Sequence, residues 1–186
     1  SYDYRWYLNS GTKTEGSLYA KSTWSVNKKL SVYGDIQYRH IFYNMTGRDD
    51  DLKDLTQKHR FSFVNPKAGL FWSLSGEQDA WLSFSVAGRE PARADFKEAA
   101  GDPEATPDRE RLYDTEAGYS LRKDKYSLSA NGYYMYYHDQ LVPTGELSST
   151  GYTIMTNVPR SYRLGIELTA GLKPLSFLDW DFTMTL

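Results

Sequence analysis

The chain has 186 residues, 40% of them hydrophobic, a formal net charge of −2 and no cysteine. The small charge and the lack of a basic run argue against a nucleic-acid partner, and the missing cysteines exclude a disulfide framework. No run of roughly 20 apolar residues is present, so the sequence predicts no transmembrane helix.

Alternating polar and apolar residues predict about nine β-strands, because successive side chains of a strand point to opposite faces. The first strand is expected near 1–9, where one face carries Tyr2, Tyr4, Trp6 and Leu8. A loop at 10–15 leads to a second strand at 16–26. The later strands are expected at 29–43, 60–74, 79–88, 111–122, 125–138, 162–172 and 177–186.

The last two of these strands show the alternation most clearly. One face carries large apolar side chains, namely Leu164, Ile166, Leu168, Leu178, Trp180, Phe182 and Met184. The opposite face carries polar residues, among them Glu167, Asp179 and Asp181. Strands of about ten residues with this pattern suit a wall between lipid and water. We therefore expect the apolar set to face outward and the acidic residues to face a lumen.

Short and long connections alternate along the chain. The short ones are expected at 27–28, 75–78, 123–124 and 173–175, and the long ones at 44–59, 89–110 and 139–158. Alternate connections of an antiparallel sheet lie at opposite ends. The pattern predicts an all-β, antiparallel up-and-down meander that forms part of a transmembrane β-barrel. The alternative is a soluble β-sandwich that binds carbohydrate through aromatic rings and buries its apolar face against a second sheet.

Five segments, in this order, resemble barrel strands of the TonB-dependent receptors, above all those of Bacteroidetes-type bacteria. Residues 63–70 read FVNPKAGL and resemble the NPKAGL strand of that family. Residues 85–96, SVAGREPARADF, resemble its GFRAPxxxEL stretch, with Glu90 in place of the usual alanine. The others are YDTEAGY at 113–119, NGYYMYYHDQL at 131–141, and Asn157-Val158 with GIEL at 165–168.

The resemblance implies that residues 1–186 are the carboxy-terminal part of a 22-stranded receptor barrel. Both ends stop inside a strand pattern, so we expect a fragment of a longer chain, without the family's plug domain and TonB box. The implied function is TonB-dependent active transport of a scarce nutrient, an iron chelate, haem or a vitamin-like cofactor, across the bacterial outer membrane. The implied partners are membrane lipid, the TonB complex through the missing plug, and a small nutrient at the extracellular loops.

The sequence contains no recognisable catalytic or metal-binding constellation, so neither an enzyme nor a resident cofactor is expected. His40, His59 and His138 are far apart and match no metal-ligand spacing. An acidic run on a long loop, Asp49, Asp50, Asp51 and Asp54, lacks the alternate-position pattern of a calcium loop. A solvated loop is the favoured interpretation of this run.

Two arginines are the first candidate ligand-binding residues. Arg89 and Arg93 flank Pro91, which can begin a short helix through Phe96 to Ala99. Guanidinium groups four residues apart would share one helix face and could bind carboxylates or catecholates of an anionic ligand. The alternative is internal pairing with Glu90, Asp95, Asp114 or Glu116.

Tyrosines near the long-loop rim supply the remaining candidates. Tyr134 and Tyr136 are expected in the aromatic girdle, where amphipathic rings lie at headgroup depth. Tyr133 and Tyr137 fall on the opposite face, where they would point to the lumen and contact a ligand.

Overall fold

The computed structural model describes residues 7–49, 52–99, 106–148 and 151–186, and these ranges form one antiparallel sheet. Its strands pair in sequence order: β1 Leu8–Ser25, β2 Leu30–Arg48, β3 Gln57–Ser73, β4 Gln78–Arg89, β5 Glu110–Arg122, β6 Tyr126–Leu147, β7 Thr153–Leu175 and β8 Leu178–Thr185. A short helix, α1 (Arg93–Glu98), lies between β4 and β5. No helix among these residues is long and apolar enough to cross a membrane. The predicted all-β meander is confirmed.

The predicted strand count and several boundaries need correction. The described residues form an 8-stranded sheet, because the loop expected at 10–15 is part of one continuous strand, β1. The apolar face expected at Tyr2, Tyr4 and Trp6 lies outside the described residues. Strands β2, β6 and β7 also extend into the regions expected to be loops, and the turn expected at 173–175 falls at 176–177. Their rim segments lack the regular apolar alternation yet still pair, because backbone pairing does not need an apolar face.

One face of the sheet, called the outer face here, carries most of the apolar residues that the alternation picks out, although Ile41, Phe61 and Phe63 lie on the opposite face. Directly paired positions share a face, and the pairs Leu168–Met184, Ala170–Phe182 and Leu172–Trp180 extend this face to β8. Its side chains are largely uncovered: Leu164 is 70% exposed, Trp180 58% and Leu18 75%. No second sheet covers this face within the described residues, so the β-sandwich alternative is not favoured.

The opposite face, called the luminal face here, carries α1 and most of the charged strand residues. The α1 residue Phe96 packs on side chains of β2 and β3, and α1 also lies against β7. These strands are well separated in the strand order, so the sheet must curve around the helix. The luminal face is therefore the concave one.

Aromatic rings lie directly opposite glycines at three strand pairs of the luminal face: Tyr33–Gly69, Trp81–Gly118 and Tyr133–Gly165. A Cβ at Gly118 would lie 2.1 Å from the Trp81 ring, and one at Gly165 would lie 2.4 Å from the Tyr133 hydroxyl. Each ring therefore needs the glycine it covers. Such pairs help to fix the register of neighbouring strands.

Candidate functional site

Helix α1 is attached to the luminal face by an aromatic cluster. Phe96 is fully buried and stacks on His59, with 4.0 Å between ring centroids and 13° between planes. The centroids of Tyr43 and Phe61 lie 6.0 and 6.2 Å from that of Phe96. Burying one phenylalanine contributes about 1.5–3 kcal/mol, so this cluster is the main hydrophobic anchor of the helix.

The sequence predicts that a short helix begins at Pro91, and α1 begins shortly after that residue. Pro91 is buried, but the N-cap is Ala92 and the helix begins at Arg93. The Asp95 carboxylate accepts a hydrogen bond of 2.8 Å from the Ala92 backbone N–H. A carboxylate in the first helical turn is also favourable next to the partial positive charge of the helix N-terminus.

The other end of α1 is held by one lysine. Lys97 Nζ lies 2.7 Å from Asp49 Oδ2 in the loop after β2, and 4.1 Å from the ring centroid of Tyr152 just before β7. In the same acidic run, the hydroxyl and then the backbone N–H of Thr56 lower the pKa of Asp54. Asp54 is exposed, as expected of a solvated loop, but the expectation is wrong for Asp49, which is buried and paired with Lys97; Asp50 and Asp51 lie outside the described residues.

A charge network joins β1 and β2 to the segment between β4 and α1. Glu90, whose side chain is only 9% exposed, accepts a 2.6 Å contact from Lys13 Nζ and lies 3.6 Å from Arg39. Arg39 Nε also donates a 2.8 Å hydrogen bond to Glu15, and its guanidinium carbon lies 5.8 Å from the Phe63 ring centroid. The network ties the loop that carries α1 to the barrel wall.

The two candidate arginines do not share a helix face. Arg89 ends β4, and its 59%-exposed side chain contacts Glu110 at 3.1 Å, a carboxylate that also accepts the Leu141 backbone N–H at 2.8 Å. Arg93 opens α1 and donates a 2.6 Å hydrogen bond to Asn9 Oδ1 in β1. The expectation of one shared face is wrong because the chain leaves the strand between them. Internal partners do exist, but they are Glu110 and Asn9 rather than the four predicted carboxylates.

Tyr133 and Tyr137 both lie on the luminal face, as the alternation predicts. Tyr133 covers Gly165, whereas Tyr137 is only 7% exposed and carries the Arg163 guanidinium 5.3 Å from its ring centroid. On the outer face, Tyr136 lies 6.2 Å from Tyr113 between ring centroids. The Tyr137 ring therefore helps to position the Arg163 guanidinium.

The three histidines occupy separate positions. His59 belongs to the α1 cluster, and His138 contacts Asp139 at 2.7 Å on β6. His40 Nδ1 lies 2.9 Å from Ser62 Oγ on the outer face. Within the described residues no carboxylate hydrogen-bonds to this histidine, so the Ser–His pair lacks the orienting group of a catalytic triad.

Sequence reasoning missed Lys13, Glu15, Arg39 and Arg163 as members of this site. One signal was available: Glu90 departs from the alanine of the resembled motif, and a carboxylate at such a place suggests cationic partners. The partners themselves could not be named, since Lys13 and Glu90 are 77 positions apart. Their contact depends on the path of the chain after β4.

Comparison with known proteins agrees with this architecture. The family described as "TonB dependent receptor-like, beta-barrel" matches residues 1–186, the whole chain. Among solved structures, the FrpB iron transporter from Neisseria meningitidis (F3-3 variant) is similar, with a TM-score of 0.71 and 18% identity over 96% of this chain and 26% of that one. The copper transporter OprC has a TM-score of 0.78 and 15% identity over 95% of this chain and 28% of its own.

A third similar structure is the ferric yersiniabactin uptake receptor FyuA from Yersinia pestis, with a TM-score of 0.69 and 17% identity over 96% of this chain and 27% of that one. The chain thus spans about a quarter of the length of these receptors. No curated protein matches it significantly. Because the family covers every residue, the chain belongs to the TonB-dependent receptor-like β-barrels and forms part of a wall in the outer membrane of a Gram-negative bacterium.

Proposed function

We propose that this chain is one sector of a receptor that imports a scarce nutrient across the outer membrane with energy delivered through TonB. Residues 1–186 would supply a partial barrel domain, and contact with TonB would belong to a plug outside this segment. An anionic iron chelate is the proposed nutrient. Haem and a vitamin-like cofactor are the alternatives.

The observation that carries the proposal is the pairing of arginines with aromatic rings on the luminal face. Arg163 lies over Tyr137 and Arg39 over Phe63, at 5.3 and 5.8 Å from the ring centroids. Guanidinium groups bind carboxylates and catecholates through paired hydrogen bonds, and a ring beneath holds the planar group in place. Arg39 already contacts Glu15 and Glu90, whereas Arg163 has no ion-pair partner among the described residues, so Arg163 is the luminal guanidinium proposed to bind a negatively charged, partly aromatic chelate.

Arg89 and Arg93 are proposed to add the rim contacts. Both lie beside the segment that enters α1, and the Arg89 side chain is 59% exposed. Arg89 could exchange Glu110 for an anionic ligand, since an exposed ion pair contributes only about 0–1 kcal/mol. Arg93 donates to the neutral Asn9 side chain, so its charge is also available to an anion. Tyr133 completes the proposed luminal set as a ring on the same face as Tyr137.

The names of similar receptors support the choice of nutrient class without deciding it. Those proteins are described as iron, ferric yersiniabactin and copper transport proteins, at identities of 15–18% that show the fold alone. We propose no enzymatic role. The family and these similar structures are transport receptors, and the Ser62–His40 pair has no orienting partner among the described residues.

The test is calorimetric titration of the full-length protein with ferric chelates, haem and a corrinoid. The double variant Arg89→Ala/Arg93→Ala should bind the preferred ligand at least tenfold more weakly, which corresponds to about 1.4 kcal/mol. The matched control is Lys123→Ala at the opposite rim, where Lys123 pairs with Glu77 and that contact raises the pKa of the lysine. Unchanged affinity in the double variant would contradict the rim contacts, and no binding of any probe would contradict the nutrient class.

A further inference from the structure

A pocket lies on the luminal face of β1, β2 and β3. It has a volume of about 410 Å³, and its lining includes Lys21, Asp35, Lys67, Tyr33 and Phe71. Lys21 pairs directly with Asp35, which in turn pairs directly with Lys67, so the three charged residues lie side by side across three strands. Pockets of about 300–1,000 Å³ that combine aromatic rings with a few polar groups are typical of small-molecule sites.

The pocket lies near the short-turn end of the wall. Lys21 is four residues before the end of β1, and Lys67 is six residues before the end of β3. At about 3.3 Å per residue and a tilt of about 40°, these residues lie about 10–15 Å inside that rim. Arg89 and Arg93 lie at the opposite rim, where β4 ends and α1 begins. The two lysines therefore belong to a separate position, deeper in the lumen.

The charged side chains of this pocket take part in no ion pair within the described parts of the chain. By contrast, Lys13 on the same face contacts Glu90 at 2.6 Å. Both Lys21 and Lys67 are exposed and line the pocket, so their ammonium groups are available to a ligand. With Asp35 between them, the three residues carry one net positive charge, which favours an anion.

Two aromatic rings supply the apolar part of the pocket. The Tyr33 ring lies across the neighbouring strand, because a Cβ at Gly69 would be 2.7 Å from the Cε1 atom of that ring. Phe71, two residues further along the same strand as Gly69, adds a second ring that is 43% exposed. Rings next to ammonium groups suit a ligand that carries its negative groups on an aromatic ring.

We propose that this pocket is an inner subsite for the anionic nutrient, which occupies it after leaving the long-loop rim. The inference rests on the proposed function and adds a second binding position along the lumen. Lys21 and Lys67 lie on strands that are two apart, so their backbones are separated by about 10 Å and their long side chains can reach one ligand. The occupant is a small chelate with carboxylate or phenolate oxygens on an aromatic ring.

The residue types fit a site that releases its ligand. An ammonium group is a compact, hydrated charge on a flexible stem, so it fixes a ligand less firmly than the planar fork of a guanidinium group. Asp35 repels an anion and lowers its affinity further. A site along a transport route has to bind weakly enough for the ligand to leave. Asp35→Asn should therefore tighten binding in the pocket and slow uptake, whereas weaker binding in this variant would contradict the role of Asp35.

The first test measures the acetylation rate of each lysine by mass spectrometry, in the full-length protein treated with a water-soluble reagent. The probe is ferric 2,3-dihydroxybenzoate, whose carboxylate stays free when the catechol oxygens hold the iron. Without the probe, Lys21 and Lys67 should react as fast as the exposed Lys28 at the short-turn rim. The probe should slow acetylation of Lys21 and Lys67 severalfold and leave Lys28 unchanged. Lysines that are unreactive without the probe would be covered by another protein segment, which would overturn the proposal.

The second test measures uptake of the same chelate by cells that produce the full-length protein. Lys21→Gln/Lys67→Gln should lower the maximal rate about tenfold, the effect of one lost charge-assisted contact, without raising the concentration for half-maximal uptake. Arg89→Ala/Arg93→Ala should instead raise that concentration, so the rim contacts are tested separately.

A matched control and two contrary results complete the design. Lys28→Gln/Lys125→Gln removes the same charge from exposed residues at the short-turn rim and should leave uptake unchanged. An unchanged maximal rate in Lys21→Gln/Lys67→Gln, or equal acetylation with and without the probe, would overturn the inner subsite and leave the rim contacts intact. A probe that does not bind the unmodified protein would contradict the proposed nutrient class as well. If the glutamine variant does not fold, acetylation of the unmodified protein still decides the outcome.

Discussion

Replacing Ile166 by arginine should destabilise the protein by about 2–4 kcal/mol, the cost of a charged side chain near the bilayer midplane of a barrel. Ile166 lies on the outer face of β7, between the girdle residue Tyr162 and Leu172 near the short-turn end. These ten residue steps cover about 33 Å of strand, or about 25 Å of depth at a tilt of about 40°, which equals the height of the apolar band. Ile166 lies about 10 Å below Tyr162, so it is close to the middle.

The matched control is Glu167→Arg, one residue along the same strand. Glu167 pairs with Asn131 and Thr185 on the luminal face, so its replacement should change stability by less than about 0.5 kcal/mol. Reversible urea unfolding of the full-length protein in lipid vesicles measures both values. Equal costs at the two positions, or a greater cost at Glu167, would refute the assignment of faces.

Further predictions concern the luminal face. Gly118→Ala should cost about 1–3 kcal/mol, because the new Cβ would displace the Trp81 ring, whereas Gly132→Ala, whose nearest neighbour is 3.8 Å from the Cβ position, should cost much less in the same unfolding assay. Phe96→Ala should weaken helix docking by about 3 kcal/mol or more, seen as faster amide exchange in α1, and unchanged exchange would count against the aromatic anchor. Glu90→Gln should cost only about 1 kcal/mol, since its partner Lys13 is 41% exposed, and a loss above about 3 kcal/mol would show a desolvated ion pair instead.

The face on which each strand residue lies was predictable, because successive side chains alternate and the apolar set fixes which face is which. In β7 and β8 the alternation from Leu164 to Met184 assigned outer and luminal residues that the strand pairing confirms. The same reasoning separated Tyr133 and Tyr137 from Tyr134 and Tyr136. Alternation is a local property of the chain and needs no knowledge of neighbouring strands.

Strand ends were predicted less well because a barrel strand can continue beyond the lipid. Thr12 and Thr14, on the outer face of β1, look like loop residues because they are polar, yet they pair with Asn44 and Phe42 of β2. Because these polar residues pair, the strands predicted at 1–9 and 16–26 are joined in the single strand β1. Apolar alternation indicates which part of a strand contacts lipid, whereas the full length of the strand also includes residues beyond the lipid that are held by backbone pairing.

The charge network and the arginine contacts were beyond sequence reasoning. Lys13, Arg39 and Glu90 come together only because the segment after β4 turns back over the luminal face. Arg93 contacts Asn9 across 84 positions of sequence for the same reason. Contacts at such separations depend on strand register and on the path of a long loop, neither of which follows from residue periodicity.

The central claim is that one face of this sheet contacts lipid and the other faces a water-filled lumen. Spin labels placed singly from position 162 to position 172 of β7, in the full-length protein in vesicles, test it most directly. The account predicts high accessibility to oxygen at 164, 166, 168 and 170, and high accessibility to a water-soluble quencher at 165, 167, 169 and 171. Uniform accessibility along the strand, or the opposite phase, would contradict it.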